Sequence, residues 1–297
     1  MKSKVLFSTG VFGILLMMAG QLSFSINDSF VKLAVKEISL NSSIFSVIFT
    51  RGLITTSLLA IYLVIIEKKN LINIISIKSF HIRGFYEVLT ALFFFTALIF
   101  LPISEVYTLL MTNPFFVTIF AFLFLKEKVG LRRWSAVIVG FVGVIFVISP
   151  QNFSFNYLFI LPIISAIFLT IRDISTKSLA TKTNNVEITF ITAFLITIFA
   201  GFASLYFGYH VTIEQTHHLL ISSIFVLFGY LFSVMTVFYA PLSLTASARY
   251  SVIIFGIIIG YLVLGEVPSS NMIIGAIIIT MSGLFVIKRE KDIGKIN

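Results

Sequence analysis

The chain has 297 residues, 58% of them hydrophobic and only 11% charged, with 34 phenylalanines and a mean hydropathy of +1.08. Such a composition exceeds what a water-soluble core absorbs and excludes a soluble globular fold. The formal charge of +9 comes from 21 basic residues scattered in short groups between apolar runs, so they build no basic face and nucleic-acid binding is excluded as the function.

Met1 to Lys4 and the apolar run to Ala19 have the pattern of a signal peptide. No exportable domain follows, so a first spanning helix with a cytoplasmic start is expected instead. Reading apolar runs against charge clusters predicts ten spans, near 5–27, 44–66, 82–101, 105–125, 132–149, 156–173, 188–207, 219–239, 244–264 and 271–287. A barrel would alternate apolar and polar residues, whereas Val252 to Leu264 is apolar almost throughout. The predicted class is therefore an all-α membrane protein, because helices satisfy their own backbone groups in lipid.

With the N-terminus inside, 17 basic residues fall in cytoplasmic segments, Arg83 and Arg172 among them, against two outside, Lys32 and Lys36. That bias predicts both termini in the cytoplasm. The chain has no cysteine, and His81, His210, His217 and His218 lack the spacing of a helical ligand pair, so no metal and no cofactor is expected. His217 and His218 read as solvated loop residues.

An internal repeat organises the spans. Leu101-Pro102-Ile103-Ser104 matches Ala240-Pro241-Leu242-Ser243 at an offset of 139, and Leu125-Lys126-Glu127 matches Leu264-Gly265-Glu266 in the same register. Asp28-x-x-x-Lys32 corresponds to Asp173-x-x-x-Lys177 at an offset of 145. The expected units are residues 1–150 and 151–297, five helices each. Five is odd, so the second copy enters from the opposite side, the arrangement that supports alternating access about a central site.

Several motifs carry a family resemblance: Asn27-Asp28-x-x-x-Lys32, Phe49-Thr50-Arg51-Gly52, Asn113-Pro114, Phe124-Leu125-Lys126-Glu127 ahead of Trp134, and Leu264-Gly265-Glu266-Val267-Pro268. In their order and spacing the chain resembles the ten-helix EamA-type carriers of the drug/metabolite transporter superfamily, over essentially its whole length. Ala248-Arg249-Tyr250 with the Gly-Glu-x-Pro ending looks more like the members that take up S-adenosylmethionine or riboflavin. The resemblance implies a metabolite carrier of the bacterial cytoplasmic (inner) membrane. The second half departs from the first where Leu195 stands near the place of Arg51, so the two copies are not expected to bind identically.

Charges inside spans need a partner or a wet cavity. Arg51 and Arg249 either snorkel to an interface or face a cavity, and the cavity is the reading adopted. Glu87 pairs with Arg83 one turn earlier or faces that cavity beside Tyr86. Tyr86, Tyr107 and Tyr250 each carry a hydroxyl that a span must satisfy. Substrate-binding candidates are thus Arg51, Tyr86, Glu87, Tyr107, Arg249 and Tyr250. Asp28, at the end of the first span, pairs with Lys32 or serves a cation or proton; Asp173 and Lys177 are its repeat mates. Glu105 either favours a helix N-terminus or joins in coupling, and Asn113-Pro114 should kink the fourth span. Gly256-x-x-x-Gly260 reads as a close-packing face.

These features predict a secondary transporter for a small polar or amphipathic metabolite, a monomer or homodimer, driven by a proton or by exchange. The competing reading, a membrane enzyme acting on a lipid or isoprenoid, requires a catalytic acid or metal cluster that the sequence does not supply.

Overall fold

A computed structural model describes residues 2–36, 44–123, 130–148, 156–179, 184–209, 211, 213–239 and 248–292. Among these residues every regular element is helical. Helix α1 (Lys2–Lys36) is the longest, at 35 residues; at 1.5 Å per residue it measures about 50 Å, well beyond the roughly 30 Å hydrocarbon layer. Asp28 therefore does not end the first span as expected. The helix continues past it because Asn27 and Asp28 turn inward and find polar partners there.

Helix α2 (Ile44–Ile61) ends in a π-helical turn, Tyr62–Ile66. Lys68, at φ 51°, reverses the chain, and the Asn70 side chain accepts from the Ile72 N–H at 2.9 Å to start the short α3 (Leu71–Ile75). Helix α4 (Lys78–Phe100) stops at Leu101, ahead of Pro102. The fourth expected span is broken in two, α5 (Ile103–Leu110) and α6 (Asn113–Leu123), by a turn at Met111 and Thr112. Pro114 lies in the first turn of α6, where a missing N–H costs nothing. Then come α7 (Leu131–Ile148), α8 (Ile160–Leu179), α9 (Asn185–Phe207), α10 (Ile213–Tyr239), α11 (Ser251–Leu264) and α12 (Ser270–Asp292). His217 and His218 belong to the first turns of α10; they are helical, not in a loop, because the apolar run beyond them draws its helix start back to Ile213.

Among the described residues, seven stretches are long and apolar enough to cross a membrane: Val11–Val35, Ile44–Ile66, Lys78–Phe100, Ile103–Phe120, Tyr157–Ser175, Val186–Phe207 and Gln215–Ser233. Three shorter apolar helices, Trp134–Ile148, Ser251–Leu264 and Ser270–Phe285, lie at the fifth, ninth and tenth expected spans. Large apolar side chains stand exposed along the long helices, among them Ile65, Ile145, Phe202 and Leu262; in water such a surface would aggregate, in lipid it is solvated.

Helix α1 packs on α10 and α11, α2 on α9 and α10, α4 on α8 and α9, α8 on α5 and α6, α5 on α11, and α7 on α12. Small residues permit the closest of these approaches. A Cβ on Gly275 would stand 2.7 Å from the Gly143 carbonyl oxygen, so α7 and α12 touch backbone to backbone. Gly256 and Gly260 of α11 lie against Tyr107 and Ile103 of α5, so the expected close-packing face is an internal one.

Candidate functional site

A cavity of about 170 Å³ opens between α1, α2, α4, α5, α8 and α10 and the short helical turn at Arg249. Two polar clusters build its walls, set off by the rings of Phe24, Phe94 and Phe95.

The first cluster centres on Asn27. Its amide nitrogen donates to Asp28 Oδ1 at 2.6 Å, while its amide oxygen accepts from Arg51 Nη1 at 2.9 Å and from the Ser222 hydroxyl at 2.7 Å. Tyr107 donates its hydroxyl to Asp28 Oδ2 at 2.6 Å. The Arg51 guanidinium carbon lies 4.9 Å from the centre of the Phe95 ring, within cation–π reach. Asn27, Asp28, Arg51 and Tyr107 are all buried in the protein. Helical spacing puts Asn27 and Asp28 on the inner side of α1, with α2, α5 and α10 bringing the rest to them.

The second cluster is a run of alternating charges. Arg172 Nη1 reaches both oxygens of Glu87, at 3.1 and 2.8 Å, and its other nitrogens meet Asp173 Oδ1 at 3.1 and 2.6 Å. Asp173 Oδ2 accepts from Arg249 Nη1 at 2.7 Å. Glu87 also accepts from the Tyr230 hydroxyl at 3.3 Å and lies 3.8 Å from Arg83, which donates to the Thr192 hydroxyl. This run ties α4 to α8, α9, α10 and the turn before α11. Charges so arranged are compensated in low dielectric, and their fork geometry is the kind arginine forms with carboxylates.

Apart from the cavity, Lys32 pairs with Glu266 at 2.6 Å and donates to the Leu101 carbonyl at 2.5 Å. Glu266 in turn accepts from the Ile103 N–H at 2.8 Å, capping α5. Gly265, at φ 68°, supplies the left-handed residue that ends α11 and aims Glu266 at that cap. The expected Asp28–Lys32 pairing is replaced by these contacts, since Asp28 turns to Tyr107 and Asn27.

Of the residues singled out from sequence, Asp28, Arg51, Glu87, Tyr107 and Arg249 line the cavity, and Asp173 joins its second cluster. Tyr250 is buried beside it, its hydroxyl donating to the Met111 carbonyl at 3.4 Å. Tyr86 is half-buried against Phe85 and lies off the cavity wall. Glu105 sits in the first turn of α5, where it complements the helix N-terminus. Asn113 donates to Thr170 at 3.0 Å, holding α6 to α8. The Lys177 side chain lies outside the described residues, as do Lys126, Glu127 and Ala240 to Ser243.

Arg83 and Arg172, counted in the sequence among cytoplasmic rim charges, instead reach into the cavity, because each sits within a helix and finds a carboxylate there. Tyr230 and Asn27 also belong to the site. Tyr230 met the same criterion as Tyr107, a hydroxyl inside a span. Among the described residues no group of three or more His, Cys, Asp or Glu stands together as a metal-ligand set.

Residues 11–149 match the EamA-like transporter family. That segment, nearly half of the chain, is similar to EamA-like domains of the drug/metabolite transporter superfamily. With this similarity and its span-length helices, the protein is an integral membrane protein. It is 30% identical over 195 residues, 64% of its own length and 63% of the other's, to a riboflavin transporter from Rhizobium johnstonii. It is 28% identical over 193 residues, 64% of its length and 65% of the other's, to an S-adenosylmethionine uptake transporter from Rickettsia bellii. A pseudopaline exporter from Pseudomonas aeruginosa is 24% identical over 283 residues, 94% of this chain and 97% of that one. The chain thus spans under two thirds of the first two relatives' lengths and nearly all of the third; none of the three is named as an enzyme. A solved crystal structure shares its fold over 98% of this chain and 99% of its own, with a TM-score of 0.55 at 13% identity.

Proposed function

We propose that the protein is a secondary transporter that moves a small polar or amphipathic organic metabolite across the bacterial cytoplasmic membrane by alternating access between residues 1–150 and 151–297. Candidate cargo classes are an amino acid derivative or a compound like S-adenosylmethionine or riboflavin, which the names of the relatives favour. The observation that carries this reading is the cavity itself: it is charged, buried among span-length helices, and walled by α1, α2, α4 and α5 of one half and α8, α10 and Arg249 of the other. A structural bundle has no use for four arginines and two carboxylates around an internal space.

The inverted repeat has support from packing as well as from motif register. If the ten apolar segments are numbered in order and the first five exchanged for the last five, the contacts of α1 with α10 become those of α8 with α4. Those of α1 with α11 become those of α8 with α5 and α6, and those of α4 with α9 become those of α10 with α2. The pairs α2 with α9, α5 with α11 and α7 with α12 map onto themselves. Such exchange symmetry lets each half adopt the other's conformation, the basis of alternating access. In this scheme the Glu87–Arg172–Asp173–Arg249 run closes the cytoplasmic side and the Lys32–Glu266 latch the outer side. With Arg83 and Arg172 left out, the charge bias is 15 to 2 and still favours cytoplasmic termini.

Purified protein in liposomes, offered labelled amino acids, nucleosides, S-adenosylmethionine and riboflavin with and without a pH gradient, tests the proposal. Saturable flux of at least one compound is expected, and a pH-gradient response would assign proton coupling. Leakage no greater than empty liposomes across the whole panel would refute the transport reading.

A further inference from the structure

We infer that Arg51, Asn27 and Asp28 read a zwitterionic head group, Arg51 holding an oxyanion of the cargo, carboxylate or phosphate, and Asp28 a cationic amine. This deepens the proposed function and rests on the cavity being the cargo site.

Four guanidinium groups face the cavity. Three of them meet carboxylates: Arg172 meets Glu87 and Asp173, Arg249 meets Asp173, and Arg83 approaches Glu87. Arg51 differs. Among the described residues it pairs with no carboxylate, its only hydrogen-bond acceptor is the amide oxygen of Asn27, and its Nε is buried with no partner. At 4% exposure, that leaves most of a five-donor fork without a protein acceptor, its Nε buried and the remaining donors available to whatever occupies the cavity. The Phe95 ring centre lies 4.9 Å from the guanidinium carbon, and the unused donors belong to the planar fork that takes an oxyanion in bidentate fashion.

Asn27 explains why the charge stays free. Its amide stands between two opposite charges, giving its nitrogen to Asp28 and its oxygen to Arg51. An aspartate or glutamate could neutralise Arg51 directly; the neutral amide instead holds the cation and the carboxyl apart in one plane of contacts. Tyr107 and Asn27 each occupy one oxygen of Asp28, orienting the carboxyl while leaving its second lone pairs for an ammonium. A cargo carrying both signs a few bonds apart is complementary to that spacing, whereas an uncharged cargo would bury both groups uncompensated.

The test uses the full chain in detergent, comparing wild type with Arg51→Met and Arg51→Lys. Melting temperature is measured without ligand and with four probes: S-adenosylmethionine, its decarboxylated analogue, phosphoethanolamine and riboflavin. Stabilisation of wild type by a probe bearing both charges is expected, carboxylate and phosphate probes identifying which oxyanion is preferred. Loss of the carboxylate, or Arg51→Met, should weaken apparent affinity at least about tenfold, and Arg51→Lys should recover only part of it. Without ligand, Arg51→Met should melt close to wild type, since the charge it removes is held only through the Asn27 amide, whose oxygen keeps its bond from Ser222; this comparison decides the case in which no probe binds. A lower ligand-free melting temperature with no probe effect makes Arg51 structural and overturns the inference. So does riboflavin stabilising wild type and Arg51→Met alike. If liposomes carry panel compounds irrespective of charge and of Arg51, the inference fails while the transport reading stands.

Discussion

Replacing Glu87 by glutamine removes one charge from a run of five charged residues while keeping the shape of the side chain. Glu87 is 7% exposed and Arg172 is 16% exposed, and they meet at 2.8 Å, so neither is well hydrated. Loss of one partner of such a buried pair leaves the other's desolvation uncompensated, which costs about 3–5 kcal/mol. Asp173 still contacts Arg172 and the cavity admits some water, which places the expected loss near the lower end, about 3 kcal/mol. Arg172→Met in the same chain removes the stranded cation, so the double variant should return to within about 1 kcal/mol of wild type, giving a coupling of about 2 kcal/mol or more. Unfolding in mixed micelles of increasing denaturing detergent, followed by circular dichroism, measures all three variants. A loss below about 0.5 kcal/mol for Glu87→Gln, or losses that simply add in the double variant, would refute the claim that this pair is buried and structurally coupled.

Other perturbations probe separate contacts. Tyr107→Phe strands an oxygen of the buried Asp28 and should cost about 1–3 kcal/mol in the same unfolding assay, whereas Tyr86→Phe, off the cavity, should cost almost nothing. Glu266→Gln keeps an acceptor for the Ile103 N–H but loses the ion pair with Lys32, so it should be milder than Glu266→Ala by about 1 kcal/mol, the usual worth of a helix cap. Gly275→Val forces α12 away from α7, and overpacking of this kind costs about 1–3 kcal/mol, read as an earlier unfolding midpoint. Lys69, in the loop after α2, donates to Glu187 at 2.8 Å, and this contact holds its ammonium above the ordinary value of 10.5. A raised folded-state value means the contribution is complete below pH 10.5 and fades as pH climbs through the higher folded-state value. The melting-temperature gap between wild type and Lys69→Met should accordingly stay level up to that pH and shrink above it.

The helices were legible because lipid imposes a coarse rule, a run of about 20 apolar residues, and each helix writes its own run. Where a span ended was less legible, and the failures share one cause. Asp28, Arg83 and Arg172 sit at the edges of apolar runs, where hydropathy alone assigns a charge to the water side. Their real environment depends on partners far along the chain: Arg172 on Glu87, 85 residues earlier, Asp28 on Tyr107, 79 residues later, and Arg249 on Asp173, 76 residues earlier. A charge moves inward when such a partner compensates it, and a single sequence records the two members separately without marking them as a pair. The proposed repeat would narrow this gap. Once Asp28 and Asp173 are recognised as equivalent positions, the burial of one argues for the burial of the other, and Arg172, next to Asp173 in the chain, follows it inward. The two copies then diverge in what satisfies the shared aspartate. Asp28 receives neutral donors from Asn27 and Tyr107, while Asp173 receives arginines from both sides. On the proposed repeat, one fold position holds a carboxyl met by neutral donors in the first half and a carboxyl locked into an ion-pair run in the second, so that a duplicated scaffold would acquire a single asymmetric site.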